Sequence, residues 1–176
     1  NNQNNTYNGI ITVTKNTRLY VDNSGSLGQA SSPATVKLDG GTLQLRGDTP
    51  TPFFANVNVT NDSIISVDRT NPTGAYRALH TLGNLTIGNN TLQVTSNFLT
   101  NDLGFTGTTT LTGNATLNTN IANVSLLGPV NGGNVTLTKV GSSALNLAGV
   151  SNYGGGTIIN NGVVNLNGAT AQLAGN

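Results

Sequence analysis

Thirteen charged side chains and one histidine supply most of the ionisable chemistry in this 176-residue chain. Eleven of the thirteen lie at or before Arg77, and the densest group is Asp62, Asp68, Arg69, Arg77 and His80, beside Tyr76. On a right-handed β-helix, Asp and Arg on neighbouring coils can form a calcium-assisted polysaccharide lyase, with Arg as the base and Asp carboxylates holding the metal. The plainer reading is a polar loop carrying a surface ion pair such as Asp68–Arg69. It is favoured, because the aspartates do not recur at coil spacing and a single histidine supports no triad with any particular serine. We therefore expect no enzyme and assign no catalytic, cofactor-binding or metal-binding residue.

Other short patterns carry less. Arg46-Gly47-Asp48 is a tripeptide that integrins recognise in some adhesins, and an exposed turn before Thr49-Pro50 is a natural place for one. Gly-Asp is also an ordinary turn pair, so the adhesive reading of Arg46, Gly47 and Asp48 is the weaker one. Eight N-x-S/T sequons, at Asn4, Asn58, Asn61, Asn84, Asn89, Asn114, Asn123 and Asn134, follow most simply from the abundance of Asn and Thr. Thr-x-Thr pairs at Thr12/Thr14, Thr108/Thr110 and Thr136/Thr138 are too irregularly spaced for a flat ice-binding face. Lys139-Val140-Gly141 is no phosphate loop, since the Lys precedes its Gly.

The elements that position these residues are foreshadowed by composition. Asn (29), Thr (27) and Gly (23) dominate, Glu, Cys, Met and Trp are absent, and the net charge is +1. Thiol-based metal and redox chemistry lose their usual ligand. A nearly neutral surface gives no field to steer nucleic acid, and no apolar run reaches the ~20 residues of a membrane-spanning helix. Asn, Thr and Gly disfavour helix interiors, whereas 35% hydrophobic residues, rich in Leu, Val and Ile, suit pleated half-buried surfaces. The lack of an initiator Met or signal peptide is expected of a processed or excised piece.

Apolar residues alternate with polar ones in bursts of three to five residues, as at Val36/Leu38, Leu43/Leu45, Val57/Val59, Leu85/Ile87, Val124/Leu126 and Leu145/Leu147. Gly and Asn punctuate the bursts. Eight aromatics are few for a two-sheet sandwich, so a narrow, all-β parallel β-solenoid is expected. At ~20 residues per coil and ~4.8 Å between coils it would have roughly nine short coils in a rod near ~40 Å long. Ala75–His80, the one stretch compatible with helix, is read as a bulge or loop leading into a strand.

The two ends share a pattern. Tyr7-Asn8-Gly9 and Thr12–Asn16 match Tyr153-Gly154-Gly155 and Thr157–Asn161 at offsets of 146 and 145 residues, so the C-terminus is expected to return to the phase of the N-terminus. Val135–Gly141, Ala144–Gly149, Asn152–Ile158 and Asn161–Leu166 together resemble the autotransporter-associated β-strand repeat, with Ser143 standing where that family usually has Gly. Residues 1–49 and 131–176 are repeat-like, and 50–130 fit more diverged spacer coils in one continuous solenoid. The resemblance implies a bacterial surface or secreted β-helix with no catalytic residue to carry over. The leading expectation is a structural segment of an extracellular fibre, shaft or coat, elongating by end-to-end self-association, or by covalent continuation in tandem units of about 146 residues. An adhesin module binding a host receptor or glycan and a β-helix polysaccharide lyase or hydrolase are the alternatives. No nucleic acid, membrane span or cofactor is expected.

Overall fold

The computed structural model describes residues 5–71, 77–97, 101–169 and 171–173. Among them no helix forms; the chain winds into seven turns of short strands. The first turn holds β1 (Ile10–Thr14), β2 (Arg18–Val21) and β3 (Gly28–Gln29). The second holds β4 (Ser32–Asp39), β5 (Thr42–Arg46) and β6 (Thr51–Pro52), and the third β7 (Ala55–Asn61), β8 (Ser63–Asp68) and β9 (Ala78–Leu82). Next come β10 (Leu85–Ile87), β11 (Thr91–Thr95) and β12 (Asn101–Phe105), then β13 (Thr109–Leu111), β14 (Ala115–Thr119) and β15 (Val124–Leu126). The last two turns are β16 (Val130–Gly132), β17 (Leu137–Val140) and β18 (Ala144–Leu147), then β19 (Ser151–Asn152), β20 (Thr157–Ile159) and β21 (Val163–Leu166).

Every strand but β3 pairs in parallel with its equivalents in neighbouring turns, so three sheets run along the solenoid: β1-β4-β7-β10-β13-β16-β19, β2-β5-β8-β11-β14-β17-β20 and β6-β9-β12-β15-β18-β21. The third sheet starts only in the second turn, because β3 instead folds back antiparallel onto β4. Period-two alternation sends one side chain of each pair inward. Leu103, Val124 and Leu145 stack in one column, and Phe105, Leu126 and Leu147 in the next, all fully buried. Stacking like on like closes a dry aliphatic interior at each rung.

Seven turns, where roughly nine were expected, follow from the coil length. In the third sheet Leu103, Val124 and Leu145 repeat every 21 residues. Between the third and fourth turns, however, Val57 pairs with Leu85 and Ser63 with Leu92, steps of 28 and 29 residues. Six steps of ~4.8 Å give a rod of about 30 Å. Strand β9 begins at Ala78, and residues 72–76 lie outside the described residues.

The expected common phase of the two ends is corrected. Thr12 stands in β1 on the first sheet, whereas its sequence counterpart Thr157 stands in β20 on the second. Tyr153 is buried with its hydroxyl 2.6 Å from Thr157 Oγ1, while Tyr7 is exposed and its hydroxyl donates to Ile10 O at 3.1 Å. Similar sequences therefore turn different corners, and a 146-residue tandem repeat would arrive one face out of register. The Thr-x-Thr pairs likewise separate, Thr12 and Thr110 to the first sheet and Thr138 to the second.

Asparagine ladders hold the corners. The Oδ1 of Asn84 accepts the backbone N–H of Thr108 one turn on (2.8 Å), and Asn114 and Asn123 do the same for Thr136 (2.9 Å) and Ala144 (2.9 Å). Each is followed by an inward apolar residue (Leu85, Ala115, Val124) and then an outward Thr86, Thr116 or Ser125. A corner asparagine opening a strand is enough to write N-x-S/T, which explains these sequons structurally.

Candidate functional site

The charged group of the sequence divides between the interior and the surface. Asp68 ends β8 with 1% of its surface exposed. Its carboxylate accepts from Gln44 Nε2 (2.6 Å), Ser66 Oγ (2.7 Å) and the backbone N–H of Asn97 (2.7 Å), so it ties the second, third and fourth turns together. His80 takes the inward place between Ala78 and Leu82, edge-on to Phe53 with ring centroids 5.5 Å apart. Its Nε2 lies 2.9 Å from Asn101 Nδ2, which also donates to Gly47 O (3.0 Å) and Asp68 O (2.8 Å). No described residue bonds Nδ1. Burial pushes the His80 pKa below its ordinary 6.5, against the smaller pull of the Gly47 and Asp68 carbonyls.

Arg69 turns away from Asp68, its Nε 3.5 Å from Asp48. Arg77, on the surface, donates to Asp102 at 2.8 Å. Tyr76 lies outside the described residues. The acid, base and metal-ligand candidates thus do not converge on one solvent-open point: His80 faces inward, Asp68 is buried on the outer side of β8, and Arg77 lies on the surface.

The tripeptide Arg46-Gly47-Asp48 is half-buried, and both of its charged side chains are engaged. Arg46 stacks over the Tyr20 ring (5.1 Å to the centroid), bonds the Tyr20 hydroxyl, and donates to Arg69 O at 3.1 Å. The Asp48 carboxylate accepts from the Thr70 hydroxyl and from the backbone N–H groups of Thr70 (3.0 Å) and Asn71 (2.9 Å). These bonds, the Thr70 hydroxyl foremost, hold its pKa below the usual carboxylate value.

A groove opens at the corner between the third and first sheets, with a volume of ≈ 360 Å³. Its floor and walls include Pro33, Pro52, Phe54, Leu82, Asn56 and Asn84. Phe53 and Phe54 point apart: Phe53 is fully buried, while Phe54 has a left-handed φ of 46° and is half-buried at the groove. A bulky residue rarely adopts that backbone region, at a cost on the order of 1–2 kcal/mol.

Over 183 aligned residues, the chain is 32% identical to outer membrane protein A of Rickettsia rickettsii. The match takes in 99% of this chain and 8% of that protein's length. No family model matches, and no solved structure matches.

Three features have no clear sign in the sequence. His80 was grouped with the surface charges, although Ala78, His80 and Leu82 share one parity and so one inward column. Lys139 shares parity with Leu137 in the same way and is fully buried. Its Nζ donates to the backbone carbonyls of Val140 (2.9 Å), Gly141 (2.7 Å) and Asn161 (3.0 Å), and burial lowers its pKa. The Phe54 groove left no signal beyond the doubled aromatic Phe53-Phe54.

Proposed function

We propose that this chain is a non-catalytic structural segment of a bacterial cell-surface protein, a length of solenoid shaft whose work is to extend. The observation that carries the reading is the state of the last rung. In the last turn Ile159 and Leu166 are each 48% exposed, although Lys139 and Leu147, their inward-facing partners one turn back, are fully buried. An open apolar rung, whose strand edges no described residue pairs on its outer side, calls for another rung against it. That rung is supplied by peptide continuation or by a second copy stacked end to end. Similarity to an outer membrane protein of which the chain spans 8% supports a short stretch of a long surface molecule. The engagement of Asp48, Asp68, Arg77 and His80 within the chain supports a role without catalysis.

Charge on the last rung tests this. In the native protein, Ile159→Lys combined with Leu166→Asp is expected to lower the thermal midpoint by several degrees and to shorten or disrupt the rods seen by electron microscopy. Unchanged stability and rod length would mean that the rung faces solvent, and the reading fails.

A further inference from the structure

We propose that the Phe54 groove binds an uncharged sugar ring, stacked on Phe54 and hydrogen-bonded by Asn56 and Asn84. This goes beyond the structural role and does not depend on it.

The first observation is the backbone at Phe54. Its φ of 46° is a conformation that glycine adopts freely and phenylalanine does not. Here the fold gains no buried aromatic for that strain, because Phe53 already fills the interior and Phe54 remains half-buried on the groove. Strain held at an outward aromatic is a reason to look for a ligand.

The second is the donor set. Asn56 Oδ1 accepts the Asn84 backbone N–H (2.9 Å), and Asn84 Oδ1 accepts that of Thr108 (2.8 Å). Both amides are thereby fixed in orientation. Among the described residues nothing accepts from either Nδ2, and both asparagines line the groove. Two fixed amides with free N–H donors beside an aromatic side chain match a sugar, which offers an apolar C–H face and a hydroxyl edge.

The third is what the lining lacks. It contains no charged residue, so neither a uronate nor a phosphate finds a counter-ion there. Its ≈ 360 Å³ lies at the small end of ligand sites, commonly ~300–1,000 Å³. A proline-rich peptide would want several aromatics along an extended groove, and this one has a single Phe.

The test is a titration of the ¹⁵N-labelled protein with the methyl glycosides of glucose, galactose, N-acetylglucosamine and glucuronic acid. At least one neutral glycoside is expected to move the side-chain amide signals of Asn56 and Asn84 saturably, and the glucuronide is expected to bind more weakly. Phe54→Gly should keep or raise the thermal midpoint while weakening binding at least about tenfold. Asn84→Asp keeps the acceptor for Thr108 and removes the donor, and it should weaken binding as well. Silence of these signals with every neutral glycoside overturns the proposal. So does sugar binding that survives Phe54→Gly, or a response to a proline-rich peptide in place of the sugars.

Discussion

The second to fourth turns and the fifth to seventh turns solve the same winding problem differently. In the later half, Val124, Leu145 and Val164 recur at 21 and 19 residues, aliphatic side chains fill most of the interior with Thr119 and Lys139 buried among them, and the corner glycines stack. A Cβ on Gly149 would lie 2.5 Å from Gly128 O, so only glycine lets successive coils approach there. In the earlier half, coils stretch to 28 or 29 residues, Asp68, Asn101 and His80 are buried, and Phe54 is strained. Regular length gives a column that can be repeated indefinitely. Extra length has to be satisfied by specific polar bonds.

The contrast can be broken first at its regular end. Gly149→Val places side-chain carbons against backbone that cannot withdraw, and it should cost about 4 kcal/mol, read by chemical denaturation. A cost near zero would mean the later coils are loosely stacked. Next, Asp68→Ala strands the donors of Gln44, Ser66 and Asn97 and should cost about 3 kcal/mol. Hydrogen exchange should then open the second to fourth turns before the fifth to seventh. Uniform loss of protection would show that the two halves are one cooperative unit.

Acid sharpens the same difference. Folded His80 has a pKa below the ordinary 6.5, so the unfolded chain takes up its proton first. The stability due to the neutral ring is complete above about pH 6.5 and is lost as pH falls below it, at up to about 1.4 kcal/mol per unit. With one His and no Glu, little else titrates just below neutrality. Thermal midpoints between pH 7 and 5 should fall for the native chain and stay level for His80→Gln. The smallest effect belongs to the surface pair. Arg77→Ala should change stability by less than about 0.5 kcal/mol, because the pair is solvent-screened and Asp102 keeps its bond from the Asn123 N–H (2.8 Å).

The regular half was the more legible in sequence. Alternation at Val124/Leu126 and Leu145/Leu147 marks strands whose parity alone fixes the inward face, and turn residues space them evenly. The irregular half was legible only as a cluster of charges. Asp68 follows Val67 and is outward by parity, yet it is buried because Asn97, a full turn later, folds over it. No local pattern carries a contact between residues 29 apart. The tyrosine match between the ends misled for the same reason. Tyr7 and Tyr153 share neighbours in sequence, but the turns inserted between them rotate the second onto another corner.

Direct measurement of the axial layers in the native protein, by cryo-electron microscopy, bears hardest on the proposal of an open, extending shaft. Layers about 4.8 Å apart should run without a break across the rungs of Ile10 and Ile159 into further coils. A helix, a folded-back loop or bare solvent covering either rung would contradict it.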